Sequence, residues 1–288
     1  MASLAELLRE RAADLSRHLA SAIKGDIRGV HQGRVASRRL RESLPAAAGG
    51  TAAAVEARKS FRRITRALGP VRELDVALGH LEQGLAGTHI PRIAIERVRA
   101  HVQAERERRR ERMLARLERV DLAGAVGRVE RIASRAQPDV TARSVQALGR
   151  RVRARALGLQ LAIDRAGTLY SPDRLHEVRI AGKKLRYALE VVAAAALADV
   201  KPALRQLKQV QEMLGLMHDY QVLLEHVKAV ADATPKGAPG AAGLKAMAAA
   251  YDRDCRKLHA AYLKCAPSLA ETARRLRKLP LEVRNTTP

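Results

Sequence analysis

The 288-residue chain carries 54 Lys and Arg against 30 Asp and Glu, a net charge of +24, with 47% apolar residues, one Phe and no Trp. A positive field of that size implies an anionic partner: nucleic acid, a membrane surface or another polyanion. Apolar content supplied largely by Ala and Leu favours close helix packing and speaks against a sandwich filled with aromatic rings.

The start, MASLAELLRERAADLSRHL, is charged and amphipathic. It has no apolar core segment, so no signal peptide is expected, and no run of about 18 strongly apolar residues is free of charge, so no membrane span is expected. Helical spacing of apolar residues predicts a first set of helices over 2–23, 26–44, 51–86 and 91–119. A short helix over 121–135 is read as a link. A second set follows over 140–168, 172–198, 200–231 and 243–278. No strand alternation is visible. Breaks are expected at Gly25-Asp26, from Pro45 to Gly50, from Gly84 to Pro91, and at Gln137-Pro138-Asp139. In the second part they fall from Gly167 to Pro172, at Lys201-Pro202, and from Thr234 to Gly243, where ATPKGAPGAAG reads as a flexible loop. Ser171-Pro172-Asp173 is a helix start, with Ser as N-cap, Pro at the first helical position and Asp facing the positive helix end. Cys255 and Cys265 share one predicted helix. Ten residues there span about 15 Å, too far for a disulfide, as expected of a reduced, cytoplasmic protein.

Residues 31–46 read HQGRVASRRLRESLPA and residues 176–191 read HEVRIAGKKLRYALEV. At an offset of 145, His31 meets His176, Arg34 meets Arg179, Arg38 and Arg39 meet Lys183 and Lys184, and Arg41 meets Arg186. One helix later, LGPVRELDVALGHL (68–81) matches LGLMHDYQVLLEHV (214–227) at an offset of 146, which also sets Lys59 on Arg205 and Arg62 on Lys208. The reading is a duplicated four-helix unit, with a first repeat over about 2–135 and a second over about 140–280.

At about 100° per residue, Arg179, Lys183 and Arg186 lie near His176, while Val178, Leu185, Leu189 and Val192 lie opposite. In the next helix Leu207, Val210 and Leu214 form a stripe across from Arg205 and Lys208, and in the first half Phe61, Ile64 and Leu68 oppose Lys59, Arg62 and Arg66. Solvated faces normally mix both signs, but the line His31, Arg34, Arg38, Arg41 contains no acid. Like charges that close repel, so an anion that relieves the repulsion is expected there.

The pattern H-x-x-R-[VI]-x-x-[RK]-[RK]-L-R, followed a helix later by L-G-x-x-[RH]-[ED] and duplicated, resembles the CHAD domain family over roughly residues 5–280. The resemblance implies an all-α fold of two four-helix bundles related by a pseudo-twofold. It implies binding of inorganic polyphosphate in a basic central groove, without catalysis, and association with polyphosphate granules, as in the stand-alone members called phosins. It would place His31, Arg34, Arg38, Arg39, Arg41, His176, Arg179, Lys183, Lys184 and Arg186 on the groove, joined by Lys59, Arg62, Arg205 and Lys208. Some members carry a CYTH triphosphatase module. No E-x-E-x-K signature occurs here, so that activity is not implied.

The chemistry agrees with the resemblance. A phosphate chain has no rings to stack, and needs donors at repeated spacing: Arg as a planar fork, Lys as a point charge. No cofactor or metal is expected. His31 and His176 would add charge only when protonated, so binding should tighten as pH falls through about 6.5. Arg72 and His218 occupy matched positions, yet on a straight helix His218 sits away from the Arg205–Lys208 face. They either join the groove through a bend at Gly69-Pro70 or Gly215, or pack between the halves. Glu73, Asp75 and Asp219 are read as orienting basic side chains.

Two other readings stay open. His218-Asp219, with His176 upstream and Asp232 or Asp252 downstream, is the dipeptide of helical metal-dependent phosphohydrolases, although the matched position holds Arg72-Glu73. Basic helices, including ERERRRERMLARLERV (105–120), could instead contact nucleic acid non-specifically, though interleaved Glu favours a solvated helix. Missing aromatics argue against a single-strand stacking platform. Oligomeric state is not readable from the sequence.

Overall fold

The computed structural model describes residues 4–48, 50–83, 90–135 and 142–281. Among them every regular element is an α-helix. The order is α1 Leu4–Ile23, α2 Ile27–Ala48, α3 Ala52–Gln83, α4 Arg92–Glu118, α5 Leu122–Arg135, α6 Ala142–Ala166, α7 Pro172–Ala194, α8 Lys201–Asp232 and α9 Ala241–Arg277. No helix is long and apolar enough to cross a membrane. The expected breaks over 84–89 and at Gln137-Pro138-Asp139 lie outside the described residues.

Local chemistry sets most of the corners. Gly25 takes φ +97, which ends α1, and the Asp26 carboxylate caps α2 by accepting from the amides of Arg28 (3.1 Å) and Gly29 (2.9 Å). Ser171 is the N-cap of α7 with Pro172 behind it, but its hydroxyl makes no bond to the helix's free amides. Two expectations need correction. Helix α2 runs through Pro45 to Ala48 instead of stopping at residue 44; Pro45 costs it only the bond to the Arg41 carbonyl, near the helix end. The 234–243 stretch forms two hydrogen-bonded turns, Ala238 N to Pro235 O at 3.1 Å and Ala241 N to Ala238 O at 3.0 Å. It packs on the start of α4, where a methyl at Gly243 would fall 2.9 Å from the Ala94 side chain.

Three cores hold the helices. The first gathers Leu8 and Leu15 of α1, Leu40 and Leu44 of α2, Phe61, Ile64 and Leu68 of α3, Met113 of α4 and Val129 of α5. The second gathers Leu159 of α6, Leu185 and Leu189 of α7, Leu207 and Leu214 of α8, and Tyr262 and Leu269 of α9. The third joins the far ends of four helices through Leu74, Leu81, Ile95, Val98, Leu223, Val227 and Met247. Each such side chain contributes about 1.5–3 kcal/mol by leaving water.

Helix α5, read from the sequence as a link, instead packs on α1 and α3 and buries Ala125, Val129, Ile132 and Ala133 in the first core. The end of α9 does the same for α6 in the second set, through Leu269, Ala273 and Leu276. One continuous 37-residue helix there corresponds to the broken α4–α5 pair. Across the sets, α2 packs on α6 and α7, α3 on α8, and α4 on α8 and α9. Polar bridges fix the α2 side. The buried Glu42 carboxylate accepts from Arg151 of α6 at 2.5 and 3.0 Å, with Arg155 at 3.7 Å. Glu190 of α7 accepts from Arg39 at 3.3 Å. The buried Arg11 guanidinium donates to the Arg39 carbonyl and the Ser43 hydroxyl.

Candidate anion-binding centre

Where α2 meets α7, the residues at helical spacing on the two facing sides are basic. Arg34 and Arg38 come from α2, Arg179 and Lys183 from α7. Their charges act on one another: Arg38 and Arg179 depress Arg34, and Arg179, Arg38 and Arg34 depress Lys183. Burial is the larger cause in both, and it carries Arg34 down to about 10 and Lys183 down to about 6. Arg179 is lowered by burial as well.

Glycine makes room for the two arginines. A methyl on Gly69 of α3 would touch the Arg34 guanidinium at 3.8 Å, and one on Gly215 of α8 would touch Arg179 at 4.0 Å. These are ordinary contacts, so Ala is tolerable but a longer side chain would take the guanidinium's place. The Leu-Gly pairs of the sequence motif therefore seat the Arg residues of the preceding helix. The Nε atoms of Arg34 and Arg179 are nevertheless buried without a hydrogen-bond partner. Against the lowering by burial, Glu73 raises both Arg34 and Arg179 and Asp219 raises Arg179, with no hydrogen bond between these carboxylates and the two guanidinium groups.

Histidines border the cluster. Arg72 Nε donates to His31 Nδ1 at 2.9 Å, and His176 Nδ1 lies 3.3 Å from His218 Nδ1. His31 and His176 are lowered by burial and then by neighbouring basic groups. His218 falls to about 4, through burial first and then Arg179 and His176. Arg72 and His218 thus reach the centre while α3 and α8 each run unbroken for 32 residues.

The remaining basic positions divide. Arg41, half-buried, adjoins Arg38, Arg62 and Arg58 beside the centre, and is lowered chiefly by burial. Arg186 lies over the Tyr187 ring at 5.2 Å, with Glu190 3.7 Å away. Arg39 is exposed and held by Glu190. Lys184 is exposed on a separate furrow of 390 Å³ between α6 and α7, together with Arg155, Arg165 and His176. Lys59 pairs with Glu56 at 2.8 Å and Lys208 with Glu212 at 3.9 Å, both largely in solvent, and Arg62, Arg66 and Arg205 are exposed.

Sequence reasoning missed Arg106, half-buried within the run read as solvated. Its guanidinium donates to the buried Asp75 carboxylate at 2.7 Å, where burial still raises the Asp75 carboxyl. Asp75 therefore orients Arg106 by hydrogen bond. Asp219 faces His80 at 3.8 Å, and Asp252 accepts from Arg256 at 2.8 Å. Among the described residues no group of three or more His, Cys, Asp or Glu side chains is placed to hold a metal ion.

The described residues thus bring together half-buried guanidinium groups from α2 and α7, each with a buried Nε that has no hydrogen-bond partner. Residues 6–228 match the CHAD domain model, and the chain belongs to that family. Two solved structures share the fold. PptA from Streptomyces chartreusis superposes with a TM-score of 0.59 at 17% identity, covering 94% of this chain and 98% of its own. The CHAD domain from the plant Ricinus communis gives 0.57 at 21% identity, covering 96% and 91%. A comparison with curated proteins gives no match.

Proposed function

We propose that the protein binds inorganic polyphosphate at the α2–α7 centre and does not act on it chemically. The observation that carries this is the pair of half-buried arginines, Arg34 and Arg179, each with a buried Nε that has no partner among the described residues. Buried donors without acceptors are costly, and like charges held together raise the cost. A chain of phosphates supplies acceptors at repeated spacing and cancels the repulsion along its length.

Calorimetry tests the reading. Polyphosphate of tens of residues should bind with a steep inverse dependence on salt, as counterions are released. Orthophosphate and random duplex DNA should compete poorly at about 150 mM salt. Equal competition by DNA would transfer the function to nucleic acid. Metal-dependent shortening of the polyphosphate, abolished in His218→Ala, would make the protein an enzyme. In cells we propose association with polyphosphate granules in the cytoplasm; a fluorescent fusion that stays diffuse while granules form would refute it.

A further inference from the structure

A second cationic surface begins where the centre ends. Arg41 of α2 adjoins Arg62 of α3. One turn along α3 comes Arg66, exposed, and one turn further Pro70. Pro70 and Ala67 form one wall of a furrow of 210 Å³ whose other wall is Arg109, Arg112, Met113 and Arg116 of α4. Residues three and four apart on a helix have Cβ atoms about 5–6 Å apart, so these three arginines form a row roughly 10 Å long. The one carboxylate in the furrow is Glu105, which accepts from Arg109 at 2.7 Å and from Arg108 at 3.0 Å. Arg112 and Arg116 are exposed and have no carboxylate partner among the described residues.

Helix α8 departs from this pattern at one position. The position matched to Arg66 is Glu212, paired there with Lys208 at 3.9 Å. A basic row thus runs from Arg41 across Arg62 and Arg66 of α3, and at the matched position of α8 an acid interrupts it.

We propose that the α3–α4 furrow is an outer subsite for the same polyphosphate chain, entered over Arg62 and Arg66 and holding phosphates with Arg109, Arg112 and Arg116. The proposal rests on the polyphosphate reading of the centre and adds a direction to it. Short chains fill the centre only. Long chains leave it on the α3 side and gain affinity from the furrow.

The test compares the intact protein, the Arg112→Ala/Arg116→Ala variant and Arg66→Glu, each titrated with polyphosphate of about five and of about one hundred phosphates across a salt series. For the long chain, each variant should bind roughly tenfold more weakly. The slope of log affinity against log salt should flatten by about 2 in the double variant. The short chain should bind all three proteins alike. Unchanged long-chain affinity in both variants would overturn the subsite, and so would an equal loss for both chain lengths. Failure of the intact protein to bind either chain would instead remove the reading of the centre, and the subsite with it.

Discussion

His31 and Arg72 are joined by a hydrogen bond of 2.9 Å in which the guanidinium donates to Nδ1. The imidazole must accept there, so His31 is neutral with its proton on Nε2. The matched pair, His176 and His218, meets through its two Nδ1 atoms at 3.3 Å, which requires one ring to donate and the other to accept. Both histidine positions of the motif are thus tied to the following helix, His31 by a contact that its double protonation would break, and His176 by one that lets only one ring of the pair carry a proton on Nδ1. Burial and the surrounding arginines push the same way, holding His31 and His176 below their ordinary value.

Polyphosphate binding should therefore take up protons. Burial, and then the neighbouring arginines, hold Lys183 down to about 6, and a polyanion beside it favours the charged form. Near pH 7 the free amine is mostly neutral and the bound one charged. Affinity should rise as pH falls from the bound-state value toward about 6, and the histidines should extend the rise below their ordinary 6.5. Calorimetry in two buffers of different ionisation enthalpy reads the uptake directly; equal heats in both would contradict it.

Lys183 should destabilise the folded protein. Its folded value lies below its unfolded value of 10.5. The unfolded chain then binds the extra proton between about pH 6 and 10.5, and stability rises with pH across that window. Lys183→Met should raise the melting temperature at pH 7 by a few degrees, flatten the pH dependence, and weaken polyphosphate binding. A variant that melts lower at pH 7 with the same pH slope would contradict the prediction.

Burial divides the arginine and lysine positions by expected effect. Arg34→Gln and Arg179→Gln should each cost tenfold or more in polyphosphate affinity, on the order of the 1.5–3 kcal/mol of a hydrogen bond to a charged group. Lys59→Ala and Lys208→Ala remove solvent-exposed side chains already facing Glu56 and Glu212, and should change affinity by less than about threefold. Equal losses at buried and exposed positions would mean that the whole surface, and not the centre, holds the ligand.

Glu42 should be a stability residue. Its carboxylate is buried and is the acceptor for Arg151, with Arg155 beside it. Removing it leaves two guanidinium groups without their counter-charge against α2. Glu42→Ala should cost about 3 kcal/mol in denaturant unfolding while leaving the α2–α7 basic residues unaltered in chemistry. A loss under about 1 kcal/mol would show that solvent replaces the carboxylate easily.

The helices were legible because the 3.6-residue period is strong and the corners carry recognisable residues, such as Gly25-Asp26 and Ser171-Pro172. The repeat pointed to Arg34, Arg38, Arg179 and Lys183. It could not separate Lys183 from Lys184, or Arg38 from Arg39. Adjacent residues on a helix differ by about 100°, so only one of each pair can face α2–α7; Arg39 goes to Glu190 and Lys184 to the α6–α7 furrow. Arg72 and His218 looked misplaced because they were referred to the outward face of their own helix. Their partners, His31 and His176, belong to the helix packed alongside, and no period within one helix reports that. Arg106 hid among charged neighbours for the same reason, as did the role of α5 in the first core.

The most direct measurement is a crystal structure of the protein with a short polyphosphate. Phosphate oxygens should lie within about 3 Å of the Arg34 and Arg179 guanidinium groups and of Lys183 Nζ, between α2 and α7. Phosphates bound only on outer faces, with the centre unchanged and its arginines still unpartnered, would contradict that placement.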